Sequence, residues 1–227
     1  MDWFIEKLQG SIPFGYARFN DGEMMGIDKV NTIVARGDQF VDQNLSNALK
    51  EAIQHKQKNY YIGIPCSICY PHYSALAKEL VGDYEFITSA VATTNRNWKK
   101  FIDTFPTAVK ERRIIWIGGV DQNTDALKDM GLNIVNTVKV PNQNSWVYYE
   151  QIKEKVPNLF QEGDLVGISL GPTARVLVRE WFEEYPDTTF VDFGSNFDPY
   201  TRNVKHNCHK GWEETGFNLT KPCSECN

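Results

Sequence analysis

Asp164–Tyr185 reads DLVGISLGPTARVLVREWFEEY, and its reading decides the fold class. Asp164–Leu170 is an apolar run of the kind that forms a buried strand. Gly171 then permits a tight turn, Pro172 suits the first position of a helix, and Thr173 sets a hydroxyl beside it. A strand that enters a helix through a glycine turn is the repeating unit of an α/β fold. The junction either offers helix-start amides and a hydroxyl to a phosphate or is an ordinary β-α turn.

The pattern continues in both directions. Met1–Gly10 spaces Trp3, Phe4 and Leu8 as a short amphipathic helix. Phe14–Phe19 sets Phe14, Tyr16 and Arg18 against Gly15, Ala17 and Phe19, as a strand does. Asp42–Lys58 predicts a helix capped by Asp42 or Ser46, Tyr60–Pro65 a strand, Pro71–Val81 a helix and Tyr84–Ala90 a strand. Thr94–Phe105 follows as a helix and Arg113–Gly118 as a strand, and Asn123 or Thr124 opens a helix through Met130. Leu132–Val140 is a strand, Ser145–Val156 a helix and Thr188–Phe193 the last strand. This alternation predicts a mainly parallel sheet with helices on both faces. No linker, repeat or low-complexity run interrupts it, which predicts one domain over residues 1–205. Residues 206–227 are polar, contain Cys208, Cys223 and Cys226, and read as a tail packed on that domain.

With 227 residues, 41% of them hydrophobic, the chain can bury a sizeable core. A formal net charge of −5 argues against a broad grip on nucleic acid or anionic lipid. No apolar run approaches the roughly 18 residues of a membrane span. Met1–Gln9 lacks the basic-then-apolar order of a signal peptide, so a cytoplasmic location is expected. These features leave the oligomeric state open.

Cys66 and Cys69 form one C-x-x-C and Cys223 and Cys226 a second. In a reducing compartment such pairs read as zinc ligands before disulfides. Together the four thiolates make a structural Zn2+ tetrahedron if the fold brings them together. Free thiols and a redox role are the alternatives.

Phe14–Met25, FGYARFNDGEMM, carries the clearest chemical signal. Asp21 and Glu23, with Gly22 between them, can face one hard cation from an extended or turning backbone. Arg18 adds a planar fork for phosphate oxygens. The same residues also suit a polar turn. Walker and G-x-G-x-x-G motifs are missing, which counts against a nucleotide triphosphatase and a dinucleotide oxidoreductase.

In combination, ARFNDGEMMGI, VPNQNSWVYYEQI, LVGISLGPTARVLV and TFVDFGSN resemble the GT-D type glycosyltransferases. That family was first described as a domain of unknown function in bacterial protein-glycosylation clusters. The likeness runs from about Phe14 to Asp198, and its hallmark is Arg18-Phe19-Asn20-Asp21-Gly22-Glu23. It implies a Rossmann-like sheet and a hexosyltransferase that moves a sugar from a nucleoside diphosphate donor, UDP-linked first, to a glycan or glycoconjugate. It also implies that Asp21 and Glu23 meet Mn2+ or Mg2+ and the diphosphate, with Arg18 beside them. Arg96, Asn144, Gly171, Pro172 and Thr173 are further donor-site expectations. After Asp-x-Gly, Ser195 stands where the relatives carry a histidine. An inverting transfer needs a general base, and Asp198, then Asp192, are the candidates. A non-catalytic nucleotide-binding module with a zinc-pinned tail is the competing reading, and a hydrolase or phosphotransferase on nucleotide sugars is a third.

Overall fold

The computed structural model describes residues 1–10, 12–34, 39–206 and 209. The strands are β1 (Gly15–Arg18), β2 (Thr32–Val34), β3 (Gln39–Val41), β4 (Tyr60–Ile64), β5 (Ile87–Ser89), β6 (Ile114–Gly119), β7 (Ile134–Val140), β8 (Leu165–Ser169) and β9 (Thr189–Asp192). Between and around them run α1 (Asp2–Gln9), α2 (Asp21–Asp28), α3 (Gln43–Gln54), α4 (Pro71–Val81), α5 (Trp98–Ala108), α6 (Asp125–Asp129), α7 (Tyr149–Lys155), α8 (Thr173–Glu184) and α9 (Asp198–Thr201). Seven of the described strands form one sheet in the order β5-β4-β1-β9-β8-β6-β7. Every pairing in it is parallel. The architecture is the Rossmann-like α/β sheet that the alternation of elements predicts.

Side chains on a strand alternate between faces, and the core divides accordingly. Ala17, Ile115, Ile117, Val166, Ile168 and Phe190 face one way, against Leu49 and Ile53 of α3 and Leu177 and Trp181 of α8. Tyr16, Ile114, Trp116, Leu165 and Val191 face the other way, against Phe4 and Leu8 of α1 and Phe101 and Phe105 of α5. The alternation read from Phe14–Phe19 places Phe14 and Tyr16 in the second cluster and Ala17 and Phe19 in the first.

Several boundaries differ from the expectation. Asp42 caps α3 by accepting a hydrogen bond from the Leu45 amide at 2.8 Å, so Asp42 rather than Ser46 is the cap. Asn95–Asn97 is a 3-10 turn before α5, and Asn95 has φ +54. α5 runs past Pro106, which sits in its last turn, where one missing N–H costs less than in the middle. Ser145–Tyr148 and Val156–Leu159 are 3-10 turns flanking α7. The expected strand over Tyr84–Ala90 shrinks to three residues, Ile87–Ser89. The β2–β3 hairpin was not foreseen, because three-residue strands are too short to show a period.

Candidate active site

From β1 the chain steps outward to β4 and β5, whereas β8 and β9 approach β1 from the other side. The order reverses at β1, and in open α/β sheets ligands bind outside the carboxyl ends of the strands at such a point. Here those ends open into a cleft of about 860 Å³. Arg18, Asp21, Glu23, Gly171, Arg175 and Asp198 are among the residues that line it.

Arg18 is the last residue of β1 and is largely buried. The backbone that follows is helical, which corrects the extended or turning conformation expected for the acids. Asn20 is the N-cap of α2, and Asp21 and Glu23 lie in its first turn. Residues two apart on a helix point about 200° from one another, so the two carboxylates do not lie side by side by backbone geometry alone. Glu23 turns inward, is buried, and its Oε2 accepts from the Asn20 amide at 3.0 Å, an arrangement that closes the helix start. Burial and the nearby Glu23 charge hold the Asp21 carboxyl above its ordinary range, opposed by bonds from the Gly22 amide and the Tyr70 hydroxyl. Two carboxylates that line one cleft, one raising the other's titration, are oxygen donors of the type a hard divalent cation takes. The donor set therefore fits Mn2+ or Mg2+.

Arg175, in the first turns of α8, was not singled out in the sequence. Its Nε donates to the Arg18 carbonyl at 2.7 Å and lies 2.9 Å from Asp192 Oδ2. Its Nη1 donates to the Gly171 carbonyl, and its Nη2 is 3.1 Å from Glu23 Oε1. Its signal in the sequence is a lone cation inside the buried run Thr173–Val178. Asp192 is fully buried, and its Oδ1 accepts from the Gly194 amide at 2.9 Å. Burial pushes the Asp192 carboxyl up, with the Arg175 and Arg18 charges opposing. Gly194 has φ +52, and a Cβ there would overlap the Arg18 guanidinium.

Asp198 starts α9 at the far end of the cleft and is 3% exposed. Its Oδ1 accepts from Arg202 Nη1 at 3.0 Å, and Gln122 Nε2 lies 3.5 Å away. His206 Nε2 is 2.9 Å from its Oδ2. Arg202 also donates from Nε to Asp121 at 2.8 Å. Gln122, Arg202 and His206 were not singled out in the sequence, because their meeting depends on the packing of α9 against α6 and the turn before it.

The structure thus gathers Arg18, Asp21, Glu23, Gly171 and Asp198 around one cleft, and leaves Arg96, Asn144, Pro172, Thr173 and Asp192 outside its lining. Asn144, at φ +48, accepts from the Phe40 amide at 2.7 Å and so ties the β2–β3 hairpin down. Thr173 is fully buried with its Oγ1 2.8 Å from Ser145 Oγ, so its hydroxyl serves packing rather than the cleft. Asp192 is fully buried against Arg175 and does not line the cleft.

Cys66 is buried and Cys69 exposed in the turn after β4, and the Cys69 amide donates to Cys66 Sγ at 3.4 Å. Cys208, Cys223 and Cys226 lie outside the described residues. Among the described residues there is no cluster of three or more metal-ligating side chains, and no helix is long and apolar enough to cross a membrane.

No protein-family model and no curated protein sequence matches this chain. Solved structures do. One, of the conserved domain of unknown function 1792 and described as having a distinct glycosyltransferase fold, superposes with a TM-score of 0.65 at 16% identity, covering 89% of this chain and 87% of the other. A selenomethionine form of that domain gives 0.64 at 14% identity, covering 90% and 88%. A glycosyltransferase of the same domain from Streptococcus sanguinis gives 0.69 at 17% identity, covering 90% and 83%. Identity at this level speaks to backbone architecture. The chain has the glycosyltransferase fold described for the domain of unknown function 1792.

Proposed function

We propose that this chain is a metal-dependent glycosyltransferase that moves a hexose from a nucleoside diphosphate sugar, UDP-linked first, to a glycan or glycoconjugate acceptor. The observation that carries the reading is the Asp21–Glu23 pair beside Arg18, at the β1 end of a cleft in a glycosyltransferase fold. Asp21, with the remaining lone pairs of Glu23, would hold Mn2+ or Mg2+, which would supply charge stabilisation for the departing diphosphate. Arg18 presents a guanidinium to the same oxygens, where charge develops as the glycosidic bond breaks. Gly171 lets the backbone approach at the start of α8.

Asp198 accepts the proton of the acceptor hydroxyl. Arg202 and His206 orient its carboxylate from the cleft wall, with buried Gln122 behind it.

We also propose that Cys66 and Cys69 take a structural Zn2+ together with Cys223 and Cys226. Cys66 and Cys69 share the turn after β4, with the Cys69 amide donating to Cys66 Sγ, and have the C-x-x-C spacing that a zinc pair uses. The last two cysteines lie outside the described residues.

The test is a panel of nucleotide sugars and divalent cations read by thermal shift, since a ligand that binds the folded state stabilises it. UDP with Mn2+ should raise the melting temperature of the wild type and not of Asp21→Asn. No shift with any nucleotide and cation pair, together with no sugar released or transferred, refutes the proposal. Release of sugar or phosphate from donor without transfer to any acceptor favours a hydrolase.

A further inference from the structure

Arg175 touches four separate parts of the cleft floor. These are the end of β1 through the Arg18 carbonyl, the first turn of α2 through Glu23, the turn before α8 through the Gly171 carbonyl, and the end of β9 through Asp192. It is 2% exposed, and both of its carboxylate partners are buried. A guanidinium can make such a set of contacts because its five donors lie in one plane at fixed angles. An ammonium in the same place reaches fewer of them.

Its placement has a consequence for the acid pair. Backbone geometry alone directs Asp21 and Glu23 away from each other. Two contacts bring the Glu23 carboxylate inward, the Asn20 amide on Oε2 and Arg175 on Oε1. Those contacts decide which lone pairs of Glu23 remain for a cation shared with Asp21. Asp21 is not among the partners of Arg175; its carboxylate takes bonds from the Gly22 amide and the Tyr70 hydroxyl instead.

We propose that Arg175 is the positioning residue of the cation site: it sets the orientation of Glu23, and through it the affinity for the divalent ion. This rests on the reading of Asp21 and Glu23 as the metal-holding pair. Arg175 acts on the ion through Glu23 and does not touch it.

The experiment is a double-mutant cycle on the full chain, with Mn2+ binding measured by titration calorimetry in the absence of nucleotide. Arg175→Lys keeps a buried positive charge but loses the planar fork. It should weaken Mn2+ binding at least tenfold in the wild-type background. In the Glu23→Gln background, where Arg175 has no carboxylate to orient, the same change should alter Mn2+ binding less than twofold. A general loosening of the cleft would weaken binding equally in both backgrounds, and that result overturns the proposal. Unchanged Mn2+ affinity in Arg175→Lys overturns it as well. If Arg175→Lys does not fold, Arg175→Met combined with Asp192→Asn removes cation and anion together, and the same cycle with Glu23→Gln applies. A wild type that binds no divalent ion sinks the metal reading itself. A wild type that binds Mn2+ with additive mutants sinks only the role of Arg175.

Discussion

Gly194→Ala isolates the contribution of Arg18. Gly194 follows β9 with φ +52, in the left-handed region that costs a residue bearing Cβ roughly 1–2 kcal/mol. For a chain of this size that corresponds to a fall in melting temperature of about 2–8 °C. The new Cβ also meets the Arg18 guanidinium, whose Nη2 occupies the space beside Gly194. The backbone of β9 is held in the centre of the sheet, so the guanidinium is the group that moves. A charge-assisted hydrogen bond contributes about 1.5–3 kcal/mol, so displacing one from a diphosphate should weaken UDP binding in Mn2+ about tenfold to a hundredfold. Gly82→Ala, after α4 and outside the cleft lining, is the matched control. Its φ of +60 imposes similar strain, but a Cβ there meets only Lys56 Nζ at 3.9 Å. Calorimetric titration of UDP with Mn2+, beside thermal unfolding of the free proteins, reads both effects. If Gly194→Ala lowers the melting temperature yet binds UDP as tightly as Gly82→Ala does, Arg18 is not a diphosphate ligand.

Other expectations follow from the same geometry. The Asp21 carboxyl is held above its ordinary value by burial and by Glu23, so the stability it contributes is fully present below about pH 3.9 and falls as pH rises through its folded value. In chelator, Asp21→Asn should therefore melt higher than wild type at pH 7, with the gap closing as pH falls toward 4; equal melting across that range contradicts the repulsion. Asp42→Ala removes the bond to the Leu45 amide and should cost about 1 kcal/mol in denaturant unfolding, with UDP binding unchanged. Purified protein should contain one equivalent of zinc by elemental analysis, and Cys66→Ser or Cys223→Ser should each remove it; metal retained in both variants refutes the four-thiolate site.

The alternation of Asp164–Leu170, Gly171 and the apolar face of α8 was legible because burial on both sides of a strand leaves a continuous apolar run. The acid pair and Arg18 were legible as chemistry, and the cleft does hold them. The backbone under them was not. Asn20 as a cap followed by Asp21 and Glu23 is a good helix start, but an eight-residue helix leaves only a brief periodic signal before Lys29 ends it. Thr173 and Asp192 look like site residues in one dimension, because a hydroxyl at a helix start and an acid at a strand end are ordinary ligand positions. Packing of Ser145 on one and Arg175 on the other turned both inward.

What the sequence by itself determined was local. Period-two and helical spacing assigned most of the elements, glycines marked the turns at the strand ends, and Arg18, Asp21 and Glu23 supplied the residue types on which the metal and phosphate proposal rests. Only the tertiary structure decided which residues share a surface. Strand order brings β1, β9 and β8 together although the chain separates Arg18 from Arg175 and Asp192. Arg175 links them because buried carboxylates and strand-end carbonyls need donors, and a guanidinium reaches several at once. Hydrophobic period records which face of an element is buried, and carries nothing about what lies against it. The Arg175 cluster, and the meeting of Asp198 with Gln122, Arg202 and His206, therefore emerge only when the sheet closes.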